Sequence, residues 1–422
     1  MKLSQFPLHT QKKAPKDESS LNASLLIRAG FIEKLTAGVY NFLPLGLRVL
    51  KNIEAIVRQE MNELGGQEIL MAALQPKQNW EATKRWQTFN ALFKVKSQYE
   101  AWYALGPTHE EIVTPLAKKY IFSYKDLPLA LYQIQTKFRD EPRPKSGLLR
   151  TREFVMKDLY SFHQEEADLD NYYEKVKEGY LKIYEKLELP VLLVEASGGT
   201  FSKYSHEFQV ITEAGEDTIY HCSNCGFSQN EEIIEDSKKC PRCHHSLVKM
   251  KGIEVGNIFK LKDKYSRPFN LTFLDQAGKS KIVMMGCYGL GISRVLGSLV
   301  EVSHDERGII WPKAVAPFQY HLVSLLSGNS KEDKLIKRFS EEVYQKLLKT
   351  QLDVLFDERL EISNGEKLVE ADLLGLPQRL VISPKLINTK KIEIKNRKTG
   401  ELKILSLQQL INYSQHEKHL SK

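Results

Sequence analysis

Between Phe138 and His163 the chain reads FRDEPRPKSGLLRTREFVMKDLYSFH, the stretch richest in residues able to grip an anion. Arg139 and Glu141 lie in a charged, alternating segment. Pro142 to Gly147 is too rich in proline, glycine and basic residues for helix or central strand. Arg150-Thr151-Arg152-Glu153-Phe154 then runs into a second apolar-polar alternation, Val155 to Phe162. The pattern predicts two antiparallel strands joined by a long basic loop. Most charge runs are solvated surface. An arginine at a half-buried strand position, however, needs an anion beside it, and a ligand carrying phosphates supplies one.

Three other clusters offer chemistry. Leu105-Gly106-Pro107-Thr108-His109-Glu110-Glu111 is a tight turn opening a helix. Thr108 is the expected N-cap, and a hydroxyl two residues from a carboxylate can also hold a cationic amine. Ser197-Gly198-Gly199-Thr200 and Ser205-His206-Glu207-Phe208 lead into a strand; taken alone, His206 is more often a structural imidazole than a ligand. Gly286-Cys287-Tyr288-Gly289-Leu290-Gly291-Ile292-Ser293-Arg294 sets three glycines at a strand-to-helix turn, expected to let a ligand approach the backbone, with Arg294 one turn into the helix. The spacing is not that of a dinucleotide fingerprint. Cys287 reads as a small buried filler.

Of five cysteines, four form Cys222-x-x-Cys225 and Cys240-x-x-Cys243. The spacing fits a tetrahedral four-thiolate zinc ribbon, with His244 or His245 able to replace one thiolate. Residues 221–251 hold few large apolar side chains, so metal would supply most of that segment's folding energy. An odd cysteine count with no apolar leader in Met1 to Ser20 argues against a disulfide framework and for a cytoplasmic chain.

The elements that must position these groups follow from periodicity. Residues 20–36 and 47–64 show helical apolar spacing, the second with Leu50, Ile53, Ile56, Val57 and Met61 on one face and Gly65-Gly66 at its end. Gln67 to Leu74 reads as a strand, Ile112 to Tyr120 and Leu169 to Leu187 as helices, and Leu129 to Thr136 as a strand. Gly252 to Leu261 and Ile282 to Met285 read as strands, and Val295 to Val300 as a helix. After Ala316-Pro317, strand and helix signals alternate, as expected of a compact α/β domain with a basic side. With 422 residues, 42% hydrophobic and 27% charged, the chain has room for two or three domains, and no stretch is long and apolar enough to span a membrane. Its net charge of +8 permits a polyanionic partner without requiring one.

Taken in order, the motifs resemble those of a class II aminoacyl-tRNA synthetase, and specifically the bacterial-type prolyl-tRNA synthetases, over almost the whole chain. Motif 1 resembles Gly38 to Pro76 with its interface proline at Pro44; motif 2 is FRDE followed by RTREF; motif 3 is GCYGLGISR. The prolyl-type signatures are GPTHEE at 106–111, SHEFQV at 205–210 and GEKLVEADLLGLP at 365–377. The resemblance implies an α+β catalytic domain on an antiparallel sheet (residues 1–220 and 252–316), a zinc-ribbon-like insertion (221–251) and a C-terminal α/β anticodon-binding domain (317–422).

It also implies roles. Arg139 would bridge the amino-acid carboxylate and the α-phosphate of ATP, Glu141 would accept from the adenine amino group, Arg150 would meet the triphosphate, and Phe154 would stack beneath adenine. Arg294 would cover the other adenine face and reach the γ-phosphate. Thr108 and Glu110 would hold the imino group of proline, with His206, Cys287 and Tyr160 closing around the ring. ATP is then a substrate, Mg²⁺ its companion, Zn²⁺ a structural ion at the four cysteines, tRNA(Pro) the acceptor, and a second copy the partner through motif 1. Long bacterial members carry a large editing insertion where this sequence has only its cysteine-rich segment, so editing of alanyl-tRNA in cis is expected to be absent. The competing expectations are a threonyl-type enzyme, whose zinc sits in the amino-acid pocket, and a synthetase-like RNA-binding protein without catalysis.

Overall fold

The structure is a computed structural model describing residues 1–16, 18–199, 201–235 and 238–419. Asp17, Thr200, Asp236, Ser237 and residues 420–422 lie outside the described residues. The chain forms two compact units: residues 34–40 with 53–302, and residues 1–33 and 41–52 with 303–422. This division differs from the four expected segments at both ends of the catalytic part.

The unit built on residues 53–302 is organised around a nine-stranded sheet. Its strands are β1 (Gln67–Glu68), β2 (Leu129–Phe138), β3 (Glu153–His163), β4 (Leu192–Ser197), β5 (Tyr204–Ile211), β6 (Asp217–His221), β7 (Ser228–Asn230), β8 (Val248–Lys262) and β9 (Met284–Gly291). Their spatial order is β5-β4-β7-β6-β8-β9-β3-β2-β1. Strand β5 also pairs with β8, so β8, β5, β4, β7 and β6 close a ring. Residues 221–251 are therefore not a separate domain: their strand β7 is a member of that ring, wedged between β4 and β6.

The predicted hairpin is present as β2 and β3, in register from Leu129 opposite Phe162 to Phe138 opposite Glu153. Its alternation is what sorts the chemistry. Asp158 and Tyr160 face one side of the sheet. Lys157 faces the other, where its Nζ meets Tyr180 of a helix spanning Glu166–Lys186. The loop carries a buried 3₁₀ turn, Gly147–Leu149, in which Leu148 and Leu149 are shielded from water. It is thus partly anchored by its own apolar residues. Gly38, at φ +75°, accepts at its carbonyl from Arg152 N at 2.8 Å, and a Cβ there would lie 2.5 Å from Pro144 Cβ. Only glycine fits that approach.

Several sequence expectations shift. The helix expected over 20–36 stops at Arg28, because Gly30 turns left-handed at φ +69° and Ile32–Thr36 is a strand. The next helix spans Pro44–Glu63, opening at the proline, which has no amide hydrogen to lose there. Gln67 to Leu74 is not one strand but two fragments, Gln67–Glu68 and Leu74–Pro76. The three motif 3 glycines lie within β9, which passes without a loop into the helix Ile292–Val302, so Arg294 is in its first turn rather than one turn in.

In the other unit, β10 (Tyr320–Ser324), β11 (Val354–Asp357), β12 (Gln378–Ile382), β13 (Lys391–Asn396) and β14 (Leu402–Ser406) stand in the order β11-β10-β12-β13-β14. The first three are parallel and the last two antiparallel additions. Helices Ser330–Lys349 and Asn364–Leu374 are capped by the side chains of Asn329 and Ser363. The N-terminus belongs here: the Met1 amine donates to Val354 O at 2.7 Å, Phe356 N donates to Met1 O, and Phe31 packs on Trp311. Among the described residues no helix is long and apolar enough to cross a membrane.

Candidate active site

A cleft lies on the sheet face carrying Asp158. Its lining brings together the turn before helix Glu110–Ala117, the hairpin loop and β3, β8 and the β9–helix junction.

At one end sits Glu110, fully buried. Its Oε2 accepts from Thr108 Oγ1 at 2.6 Å and its Oε1 from Cys287 Sγ at 3.1 Å. Thr108 is not the helix N-cap as expected: that position falls to His109, and the threonine hydroxyl is spent on Glu110 instead. Burial, and then the neighbouring Glu110, push the Cys287 thiol up, so it remains a protonated donor and not a nucleophile.

Beneath this end runs a buried polar chain that the linear pattern did not reveal. Lys137 Nζ lies 2.7 Å from Asp158 Oδ1 and 2.8 Å from His109 Nδ1. His109 Nε2 donates to Ala72 O at 3.2 Å, which fixes the tautomer that leaves Nδ1 free to accept from Lys137. Burial, and then Lys137, lower the His109 pKa to about 3, so the ring is neutral. Asp158 Oδ2 accepts from Gln133 Nε2 and Tyr160 OH. The one available signal was a run of polar residues, Gln133, Gln135 and Lys137, every second position along an otherwise apolar strand.

At the other end Arg139, Glu141, Arg150, Phe154 and Arg294 gather as the motifs predict. Arg139 has its guanidinium 5.1 Å from the centre of the Phe154 ring, and its buried Nε has no hydrogen-bond partner among the described residues. Burial, and then Arg294, weigh against its charge, so an anion arriving here meets an arginine that lacks one. Arg150 makes a fork on Glu141 Oε2, at 3.0 Å from Nε and 2.8 Å from Nη2, and holds Glu216 through Nη1 at 3.0 Å. Arg294 Nη1 donates to Glu254 O at 2.7 Å.

Residues 93–303 match the tRNA synthetase class II core domain (G, H, P, S and T), and residues 319–417 match an anticodon binding domain. The chain is 39% identical to the proline--tRNA ligase of Ehrlichia chaffeensis, over 98% of this chain and 99% of that one. The chain belongs to the proline--tRNA ligase family. A second member, from Citrifermentans bemidjiense, is 33% identical over 97% of this chain and 98% of its own length. That alignment needs 565 positions, against 429 with the Ehrlichia protein, so the Citrifermentans protein holds a long segment without counterpart here. The fold is that of a Giardia lamblia prolyl-tRNA synthetase in complex with prolyl-adenylate, with a TM-score of 0.77 and 19% identity, over 91% of this chain and 74% of that chain. A Cryptosporidium parvum prolyl-tRNA synthetase complexed with halofuginone and AMPPNP gives 0.78 at 18% identity, over 95% and 77%.

Within this proline--tRNA ligase site two expected pocket residues stand elsewhere. His206 lies opposite Ile258 in the β5–β8 register, and both point away from the cleft; its Nδ1 meets Tyr173 OH at 2.7 Å. The next residue, Glu207, pairs with Asn257, which lines the cleft and donates to Glu207 Oε1 at 3.2 Å. A one-residue step along a strand changes face, which a motif quoted as a string hides. Tyr160 is one layer behind the cleft, accepting from His109 N at 2.9 Å and donating to Asp158.

The four ribbon cysteines converge, all sulfurs within 4.8 Å of one another. Cys222–Cys243 and Cys225–Cys240 are 3.4 and 3.5 Å apart. Tetrahedral Zn–S bonds of about 2.3 Å put sulfurs about 3.8 Å apart, so the set fits zinc. Each pair sits on a turn with a left-handed residue after its second cysteine, Gly226 and His244. No histidine is needed: His245 Nδ1 is turned to Cys243 O.

Proposed function

We propose that this chain activates L-proline with ATP and transfers it to the terminal adenosine of tRNA(Pro), with the site residues in the roles that follow. The observation that carries the reading is one cleft with a sealed carboxylate, Glu110, at one end and an arginine without an anion, Arg139, at the other.

Glu110, with Thr108 on one oxygen and Cys287 on the other, receives the secondary ammonium of proline. Arg139 receives its carboxylate and the α-phosphate, so that a carboxylate oxygen attacks the α-phosphorus in line and pyrophosphate leaves. A hydroxyl of the terminal adenosine then attacks the acyl carbon and AMP departs. No protein nucleophile is required. Phe154 and Arg294 bracket adenine. Glu141 reads the adenine amino group and Arg150 turns to the triphosphate once the two release each other. Tyr160 acts through Asp158 and the His109 amide, and His206 through Tyr173.

Bound with the triphosphate, Mg²⁺ would supply charge neutralisation there. Asp217 and Glu254, which line one hollow with Arg150 and Arg294, are the carboxylates that would hold it. Zinc pins the two ribbon turns. A second copy through the motif 1 region, a cytoplasmic setting and the absence of cis-editing complete the proposal.

The test is ATP–pyrophosphate exchange with each of proline, threonine and alanine, followed by charging of tRNA(Pro) and incubation with alanyl-tRNA(Pro). Proline alone should support exchange and charging, and alanyl-tRNA(Pro) should decay at the uncatalysed rate. Threonine-dependent exchange would move the chain to the threonyl type. Exchange with no amino acid would leave only a binding role.

A further inference from the structure

Next to Glu110 stands a second carboxylate, Glu111, equally buried, and one cation serves both. Arg85 Nη1 lies 2.9 Å from Glu111 Oε1, 3.1 Å from Glu111 Oε2 and 3.5 Å from Glu110 Oε2. Thr83 Oγ1 adds a hydrogen bond to Glu111 Oε1 at 2.9 Å. The remaining guanidinium nitrogens, Nε and Nη2, are buried with no hydrogen-bond partner among the described residues. They are enclosed by aromatic faces: the guanidinium carbon lies 4.9 Å from the Phe89 and Phe201 ring centres and 5.2 Å from that of Trp80. An arginine held this way cannot swing to another partner, and a buried guanidinium with orphaned donors is costly unless its charge is wanted.

Counting charges explains what it is wanted for. With both ionised, two carboxylates sharing one guanidinium leave one negative charge uncompensated; burial, which pushes Glu111 up to about 7, makes that charge costly until a single monovalent cation neutralises it. We propose that Arg85 is a positioning residue that sets the amine end at one net negative charge, so that a substrate ammonium completes it and an uncharged or dianionic pocket would not. The inference rests on the reading of Glu110 as the ammonium's partner. Arg85 touches no substrate: it acts through Glu110 and Glu111. With Arg85 removed, two adjacent buried carboxylates would have to share a proton, as like charges at contact do. The ammonium would then meet a partly protonated pair.

Four variants measured by proline-dependent exchange decide it. Arg85→Gln should raise KM for proline at least about tenfold, with KM for ATP within about twofold. Glu111→Gln, which leaves the pocket neutral before substrate, should also raise KM for proline severalfold. Combining the two restores one carboxylate with no guanidinium, and KM for proline should return to within about threefold of wild type. Arg85→Lys keeps the charge and loses the fork, and should stay within about threefold.

The result that overturns the inference is a double variant no better than Arg85→Gln, or an Arg85→Lys as impaired as Arg85→Gln, since either marks a packing role. Should Arg85→Gln fail to fold, an unchanged KM for proline in Glu111→Gln overturns it equally. Glu110→Gln run alongside separates the two levels: if it leaves KM for proline unchanged, the reading of the pocket itself is wrong. If it raises KM while Arg85→Gln does not, only the present inference falls.

Discussion

At the amine end of the cleft, Thr108, Glu110, Glu111, Asp158 and Cys287 are all buried and each has its hydrogen bonds made. At the nucleotide end, Arg139, Glu141, Arg150 and Arg294 are half-exposed: Arg150 rests on Glu141 and Glu216, Arg294 on a main-chain carbonyl, and Arg139 Nε has no partner among the described residues. In the proposed roles, the first end is finished before substrate arrives, whereas the second must exchange partners. The contrast follows from ligand chemistry. A small ring with one ammonium can be discriminated only by fixed walls and a fixed charge, because a misfit of one methylene is worth little. A triphosphate brings enough charge to break surface-type ion pairs, so arginines can rest on nearby carboxylates until it comes.

The largest expected effect breaks the link between the ends. Arg139→Lys keeps the charge but loses the fork that must meet carboxylate and phosphate together, and proline-dependent exchange should fall by at least about 100-fold. A near wild-type rate would mean that the two ends do not communicate through this residue.

Metal removal tests whether the closed ring of strands depends on the ribbon. Cys222 precedes β7 and Cys240 follows it, so the sulfurs pin both ends of a three-residue strand whose pairing with β4 is a single residue pair. Stripping zinc with a chelator should lower Tm by on the order of 10 °C, with about one zinc per chain lost. An unchanged melt on zinc-depleted protein would show that the ring stands without it.

A smaller effect concerns Glu207, held at about 8 by burial and then by Glu254. Because its folded pKa lies above its unfolded value, the folded chain binds more protons here, and the group costs stability as pH rises from about 5 to 8. Glu207→Gln lacks that cost. Its Tm relative to wild type should therefore be most favourable near pH 8.5 and become less so toward pH 6. A pH-independent difference would mean that Glu207 titrates as an ordinary carboxylate.

The smallest effect sharpens the nucleotide side. Glu216→Ala frees Arg150 from one of its two carboxylates, and KM for ATP should fall by no more than about threefold, with KM for proline unchanged. A large change in either would show that the pair is more than a resting contact.

Much of this was legible in the residues, and the limits were physical. The hairpin and the ribbon follow from local spacing and turn chemistry, which a linear string preserves, whereas the gathering of Arg139, Glu141, Arg150, Phe154 and Arg294 was legible only through the resemblance of their motifs to a known family. His206 and Tyr160 were misplaced because their positions depend on which sheet face a strand residue takes and which layer lies behind it. Arg85 was invisible: it reaches Glu111 from a four-residue helix, Arg85–Thr88, with no spacing that marks it. The attachment of residues 1–33 to the C-terminal unit was hidden for the same reason, since Met1 meets Val354 across almost the whole chain.

The contrast between a finished amine end and an unfinished nucleotide end is tested most directly by calorimetric titration of proline into the ligand-free enzyme, wild type beside Glu110→Gln. A preformed amine end predicts measurable proline binding by wild type without nucleotide. It also predicts a loss of at least about tenfold in Glu110→Gln, while affinity for a non-hydrolysable ATP analogue shifts by less than about threefold. Proline binding that appears only after the nucleotide is bound, or a Glu110→Gln that loses both ligands alike, would contradict it.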